Sequence, residues 1–77
     1  MVDKAVPLES LLAGETATVR RITGGVTDVH RLEEFGLRGG SRIGMFRKGN
    51  PCILRVGGGK VCLRSDSTLR ILVERSE

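Results

Sequence analysis

The chain has 77 residues, with no Trp or Tyr, two Phe, two Cys and one His, and its 13 Lys and Arg outweigh 9 Asp and Glu for a formal charge of +4. That length supplies one domain with one small core and excludes a deep, enclosed active site. The missing aromatics argue against a nucleic-acid partner, because unpaired bases need stacking platforms.

Met1 to Lys4 reads as a loose terminus. Pro7 then leads into Leu8, Leu11 and Leu12, whose spacing fits one or two helical turns with Pro7 at the first position. Gly14 stops this segment. Thr16 to Thr23 is rich in β-branched residues and predicts a strand. Ala17 and Val19 share one face of it, whereas Ile22 falls on the other, so a bulge near Arg20-Arg21 is expected. Gly24-Gly25 breaks the strand.

Val26 to Leu37 carries the one clear helical pattern. Val29, Leu32 and Phe35 recur at helical spacing, and Thr27 or Asp28 is placed to cap the start. Gly36 supplies the stop, and Leu37 can fold back on the last turn as a closing apolar contact. Arg38-Gly39-Gly40 turns the chain. Ser41 to Arg47 predicts a strand, with Ile43 and Met45 on one face and Arg42, Gly44 and Phe46 on the other. Gly44 suggests a bulge, a tight corner or a close backbone approach.

Lys48-Gly49-Asn50-Pro51 is a turn. Cys52 to Arg64 reads as a hairpin around Gly57-Gly58-Gly59. A two-residue turn at Gly58-Gly59 sets Val56 opposite Val61 and Leu54 opposite Leu63. Cys52, Leu54, Val56, Val61 and Leu63 then form one apolar face, and Cys62 lies on the other. A disulfide between the two cysteines is not expected. Ser65-Asp66-Ser67 predicts a turn. Leu69, Ile71 and Val73 then alternate with Arg70, Leu72 and Glu74 in a terminal strand, followed by a tail. The fold class is mainly β: a small, partly closed barrel with one short helix. One domain spans 1–77, its core about 6–74.

Chemistry-bearing residues are few. A metal site needs several ligands brought together. His30 can meet Glu33 or Glu34 one turn later, and Cys62 is a partly exposed thiol. His30, Glu34 and Cys62 therefore form at most a weak donor set for a transition metal. No cofactor is required by the sequence, and no nucleophile stands beside a base, so no enzyme is expected. Gly57-Gly58-Gly59-Lys60 lacks the spacing of a phosphate loop. Charge is more informative. No acidic residue occurs between Phe35 and Ser65, and that stretch holds seven cations. Arg42, Arg47, Lys48, Arg55, Lys60 and Arg64 are the candidate partner-binding residues. No apolar run is long enough to cross a membrane, so a cytoplasmic chain without direct membrane insertion is expected. The edges of Ser41–Phe46 and Leu69–Val73 are open either to a second copy, giving a homo-oligomer, or to cover within one chain.

These segments, in this order, resemble the FeoA-type family of bacterial ferrous-iron transport over nearly the whole chain. The resemblance runs from Pro7-Leu8, Leu11 and Gly14-Glu15 through Val19, Ile22 and Gly24. Its signature is Arg31-Leu32, Phe35-Gly36-Leu37 and Gly40, where the family commonly reads Arg-Leu-x-x-Leu-Gly-Leu-x-x-Gly. Phe35 stands where Leu is usual, in a position expected to be packed. The match continues at Ile43, Pro51, Leu63-Arg64 and Ile71-Leu72-Val73. The resemblance implies an SH3-like barrel with the helix lying across it. It also implies an accessory or regulatory role beside the membrane ferrous-iron permease and its GTP-binding domain, with direct ferrous-iron binding as the alternative. Similar domains form the tail of metal-dependent repressors, but no helix-turn-helix segment stands ahead of the domain in this sequence. Leu32, Phe35, Gly36, Leu37 and Gly40 read as fold determinants, since cavities or strain at such positions would cost much of a small domain's stability.

Overall fold

The aliphatic alternation resolves into six strands and one helix in a computed structural model that describes residues 4–64 and 69–75. The strands are β1 (Val6–Pro7), β2 (Thr16–Thr23), β3 (Arg42–Arg47), β4 (Cys52–Val56), β5 (Gly59–Leu63) and β6 (Arg70–Arg75), with helix α1 at Val26–Glu34 between β2 and β3. They form one antiparallel sheet in the order β1-β6-β2-β3-β4-β5. The sheet curls without closing, which leaves β1 and β5 as edges. This is an SH3-like, partly closed fold. The predicted turn at Ser65-Asp66-Ser67, the first residues of the terminus and the end of the tail lie outside the described residues.

Two bulges curl the sheet. In β2 the register against β6 shifts between Val19 and Arg21, leaving Arg20 as the extra residue. Ala17 and Val19 point inward before it and Ile22 after it, opposite Ile71. The expected bulge is present, and it is what allows one strand to bury residues of both parities. In β3 the register against β4 shifts between Met45 and Arg47, so Phe46 is the extra residue. The irregularity anticipated at Gly44 therefore falls two residues later. A Cβ at Gly44 would make only ordinary contacts, 3.7 Å from Thr16 and 3.8 Å from Arg55.

The strands that bury core residues are β2, β3, β4 and β6, with Leu11, Val19, Leu37, Leu54 and Val73 completely shielded from solvent. Val61 and Leu63 of β5 pack against the core while remaining half-buried. Of the leader leucines, Leu8 and Leu11 are buried around a single 3₁₀ turn at Leu8–Ser10, whereas Leu12 is 60% exposed. Only the i, i+3 pair faces inward, because the segment turns away at Ala13-Gly14 instead of completing a second turn.

Helix α1 begins at Val26 with Gly25 as its N-cap and no capping side chain. Neither Thr27 nor Asp28 caps it. The helix starts earlier than expected, which puts Asp28 in the first turn, where a carboxylate suits the dipole. Its end follows the prediction. Gly36 has φ +93°, its N–H donates to the Glu33 carbonyl at 3.0 Å, and the Leu37 N–H donates to the Leu32 carbonyl at 2.9 Å. This pair of bonds is the Schellman stop, and Leu32 and Leu37 are both buried beside it. Ser41 Oγ then donates to the Gly36 carbonyl at 2.6 Å and fixes the lead into β3. Phe35 is 56% exposed and does not pack into the core. Its expected role as a fold determinant is corrected: it is the helix's C-cap residue, two positions short of the inward-pointing Leu37.

The Gly57-Gly58-Gly59 hairpin is tight, but its turn is Gly57-Gly58, with Val56 opposite Gly59, Leu54 opposite Val61 and Cys52 opposite Leu63. The expected register is thus off by two residues. A slide of two preserves parity, so the predicted inner face is intact. Gly57, at φ +60°, supplies the left-handed first position of such a turn.

Glu15 ties the leader to β6. Its carboxylate accepts the Leu12 N–H at 2.6 Å and lies 3.5 Å from Arg75. The backbone donor first, and Arg75 second, hold this carboxyl below the usual glutamate range. A lowered value means the stabilisation is complete above about pH 4.3, the ordinary glutamate value, and is lost as pH falls through the folded one. Thermal melts should therefore show wild type above Glu15→Gln at pH 6, with the gap narrowing as pH falls below the ordinary glutamate value.

Candidate functional site

The outer face of β3, β4 and β5 gathers much of the predicted basic set. Strand parity places Arg42 and Gly44 of β3 outward, Gly44 lies opposite Arg55 and Arg47 lies opposite Ile53, while across the hairpin Arg55 faces Lys60 and Ile53 faces Cys62. Residues opposite one another share a face, so Arg42, Arg47, Arg55 and Lys60 stand on one surface. The other two predicted cations do not join them. Lys48 and Arg64 border a small cleft of about 60 Å³ at the end of the sheet, lined also by Leu8, Glu9, Cys52 and Ile71. The separation follows from the bulge and the turn: Lys48 sits past the end of β3, and Arg64 past the end of β5.

Phe46 is the centre of the basic face, and the sequence reading did not single it out. The bulge turns it outward, where it is 43% exposed. Lys60 Nζ lies 3.9 Å from the ring centroid and Arg55 Cζ lies 5.3 Å from it. Each cation rests on the ring by attraction to its π electrons, worth about 0.5–1 kcal/mol at an exposed site. Held there, the two cations are less free to wander, so the surface presents fixed positive charge around an apolar disc. The signal was available in the alternation of Arg42, Gly44 and Phe46, which placed an aromatic among cations. Glu74, two strands away on β6, is engaged by Arg20 at 3.6 Å.

The thiols behave as their positions dictate. Cys52 is buried, and desolvation pushes its thiol up, away from the reactive thiolate. Cys62 is exposed on the opposite face of the hairpin, and both are free. His30 and Glu34 are exposed on α1, and Cys62 belongs to β5. Among the described residues no three His, Cys, Asp or Glu side chains converge where one metal ion could sit. None of the described helices is long and apolar enough to cross a membrane.

Comparison with known proteins gives this geometry a family. The FeoA domain matches residues 6–75, from β1 to the end of β6. A solved structure described as an iron uptake regulatory protein (FeoA) superposes with a TM-score of 0.83 at 27% identity, covering 94% of this chain and 99% of that one. No curated protein matches the chain. A fold-length match that begins at the Pro7 leader and includes the Schellman stop and the triglycine hairpin leads to one conclusion: the chain belongs to the FeoA family, the small non-catalytic accessory domains of ferrous-iron transport.

Proposed function

We propose that this chain acts in ferrous-iron uptake by binding the cytosolic part of the membrane ferrous-iron permease, which carries the GTP-binding domain, and that it docks through the outer face of β3–β5. The observation that carries the reading is the Phe46 disc flanked by Lys60 and Arg55. An apolar centre ringed by ordered charge is the anatomy of a protein-binding surface, and arginine and aromatic residues are its usual anchors. The family supplies the pathway, and the charge supplies the sign of the partner's surface, which is acidic. Lys48 and Arg64 extend positive potential around the end of the sheet.

Calorimetric titration of the permease's cytosolic domain, with and without ferrous iron and guanine nucleotide, tests the reading. Saturable binding is expected, weakening as salt is raised through the range where the screening length falls below about 10 Å. A flat titration in all four conditions removes it.

A further inference from the structure

Strand order leaves two edges, and they are unlike. β1 has two residues, one of them Pro7, which has no N–H to offer. β5 has five residues, and among the described residues no strand pairs with its far side. The two-residue turn fixes which of its backbone groups are free. Val56 and Gly59 close the turn as a hydrogen-bonded pair, so bonding alternates from there. Val61 and Leu63 exchange bonds with β4. Lys60 and Cys62 belong to the non-bonded pairs, and their N–H and C=O groups point away from the sheet. Both residues are exposed.

Room lies beside that edge. A cleft of about 330 Å³ lies between β5 and α1, walled by Asp28 and Arg31 of the helix, by its C-cap residue Phe35, and by Val61, Leu63 and Arg64 on the strand side. Leu32 and Leu69 add apolar lining, and the exposed ring of Phe35 forms part of its wall. On the outward face of the same edge stands Lys60, held on Phe46.

We infer that β5 accepts an extended acidic segment of a partner by antiparallel strand addition, with alternate residues of that segment apolar toward the Phe35 cleft and acidic toward Lys60. This rests on the reading that the permease's cytosolic part is the partner, and it names the mode and the chemistry of the contact. Charge selects the occupant. Pairing of β5 with β5 of a second copy, centred on Cys62, would set Lys60 opposite Arg64. Centred on Val61, it would bring two Lys60 residues to diagonal positions about 7–8 Å apart. Neither register supplies a carboxylate, so the edge disfavours its own copy and favours an acidic strand.

The outward N–H at Cys62 provides a direct test. Proline there removes a donor that the β4–β5 ladder does not use, so Cys62→Pro retains the hairpin while blocking an added strand. Cys62→Ser is the control. Against the permease's cytosolic domain, Cys62→Pro is expected to weaken binding about tenfold or more and Cys62→Ser to leave it unchanged. In wild type, amide exchange at Lys60 and Cys62 should slow on the order of a hundredfold in the complex. The exchange measurement decides the matter even if Cys62→Pro does not fold. Wild-type binding with unprotected Lys60 and Cys62 amides overturns strand addition and leaves the permease reading standing. Failure of wild type to bind at all overturns both. Protection of those amides in the free protein, together with a dimer mass, would assign the edge to a second copy and overturn the acidic-segment inference.

Discussion

A Leu37→Ala variant should lose about 2–5 kcal/mol of folding stability, the range for truncating a buried leucine whose surroundings cannot collapse. Leu37 is completely shielded from solvent, and its N–H donates to the Leu32 carbonyl in the turn that ends α1. The backbone on either side is held. Gly36 sits in the left-handed region with Val56 Cγ1 3.4 Å from where a Cβ would be, and Ser41 bonds back to the Gly36 carbonyl. A segment pinned in this way cannot slide inward to fill a cavity. A domain of this size has a total stability of about 4–12 kcal/mol. The loss is therefore a large part of the whole, and the melting midpoint should fall by roughly 8–40 °C at about 4–8 °C per kcal/mol. Phe35→Ala is the matched control. Its ring is 56% exposed, so its stability should stay within about 0.5 kcal/mol of wild type. Thermal and urea melts followed by circular dichroism separate the two, and equal losses would mean that Phe35 is packed after all.

Charge reversal at Arg47, Lys48, Arg55 and Arg64 should do the opposite, abolishing partner binding while sparing the fold. Each substitution to glutamate lowers the formal charge by two, from a starting value of +4. Two of the reversals, Arg47 and Arg55, lie on the Phe46 face and two, Lys48 and Arg64, at the cleft that ends the sheet, so together they make the whole basic surface repel an acidic one, and like-charge juxtaposition costs several kcal/mol in an interface. Affinity for the permease's cytosolic domain should fall by about a hundredfold or more, with most of the remaining salt dependence gone. All four side chains are exposed. Only Arg55 has a ring contact among them, so the fold should lose no more than about 1 kcal/mol. Undiminished binding would refute the basic surface of the Phe46 face and the adjoining cleft as the docking surface. The two variants together distinguish a protein that cannot bind because it is unfolded from one that cannot bind because its charge is wrong.

Local rules account for what was legible in the chain. The mismatch of Ala17 and Val19 with Ile22 required a bulge, because a strand has a period of two and only an extra residue can change its parity. Gly36 followed by Leu37 specified how the helix ends, since only a left-handed residue at that point lets the next side chain turn back. The hairpin's inner face was fixed by parity alone and was right even though its register was not. Three consecutive glycines leave the backbone indifferent to a slide of two residues, so the turn's position was not written in the glycines. The six predicted cations were real as a composition, but their division between the Phe46 face and the small terminal cleft depended on where β3 and β5 end.

The amino-acid sequence by itself determined one curled β domain, an acid-free basic stretch, free cysteines on opposite faces of a hairpin and a FeoA signature. Tertiary structure alone decided which strands became edges. The segments whose edges looked open, Ser41–Phe46 and Leu69–Val73, contribute the interior strands β3 and β6, while β5 is left free. Strand order depends on contacts between residues far apart in the chain, and no periodicity within a segment records who its neighbour will be. The same limit hid the two phenylalanines. Phe35 had helical spacing yet stayed exposed, because Leu37 folds back into the core after the helix ends. Phe46 became the centre of a charged surface because a bulge, set by pairing with β4, turned it out beneath Lys60 and Arg55.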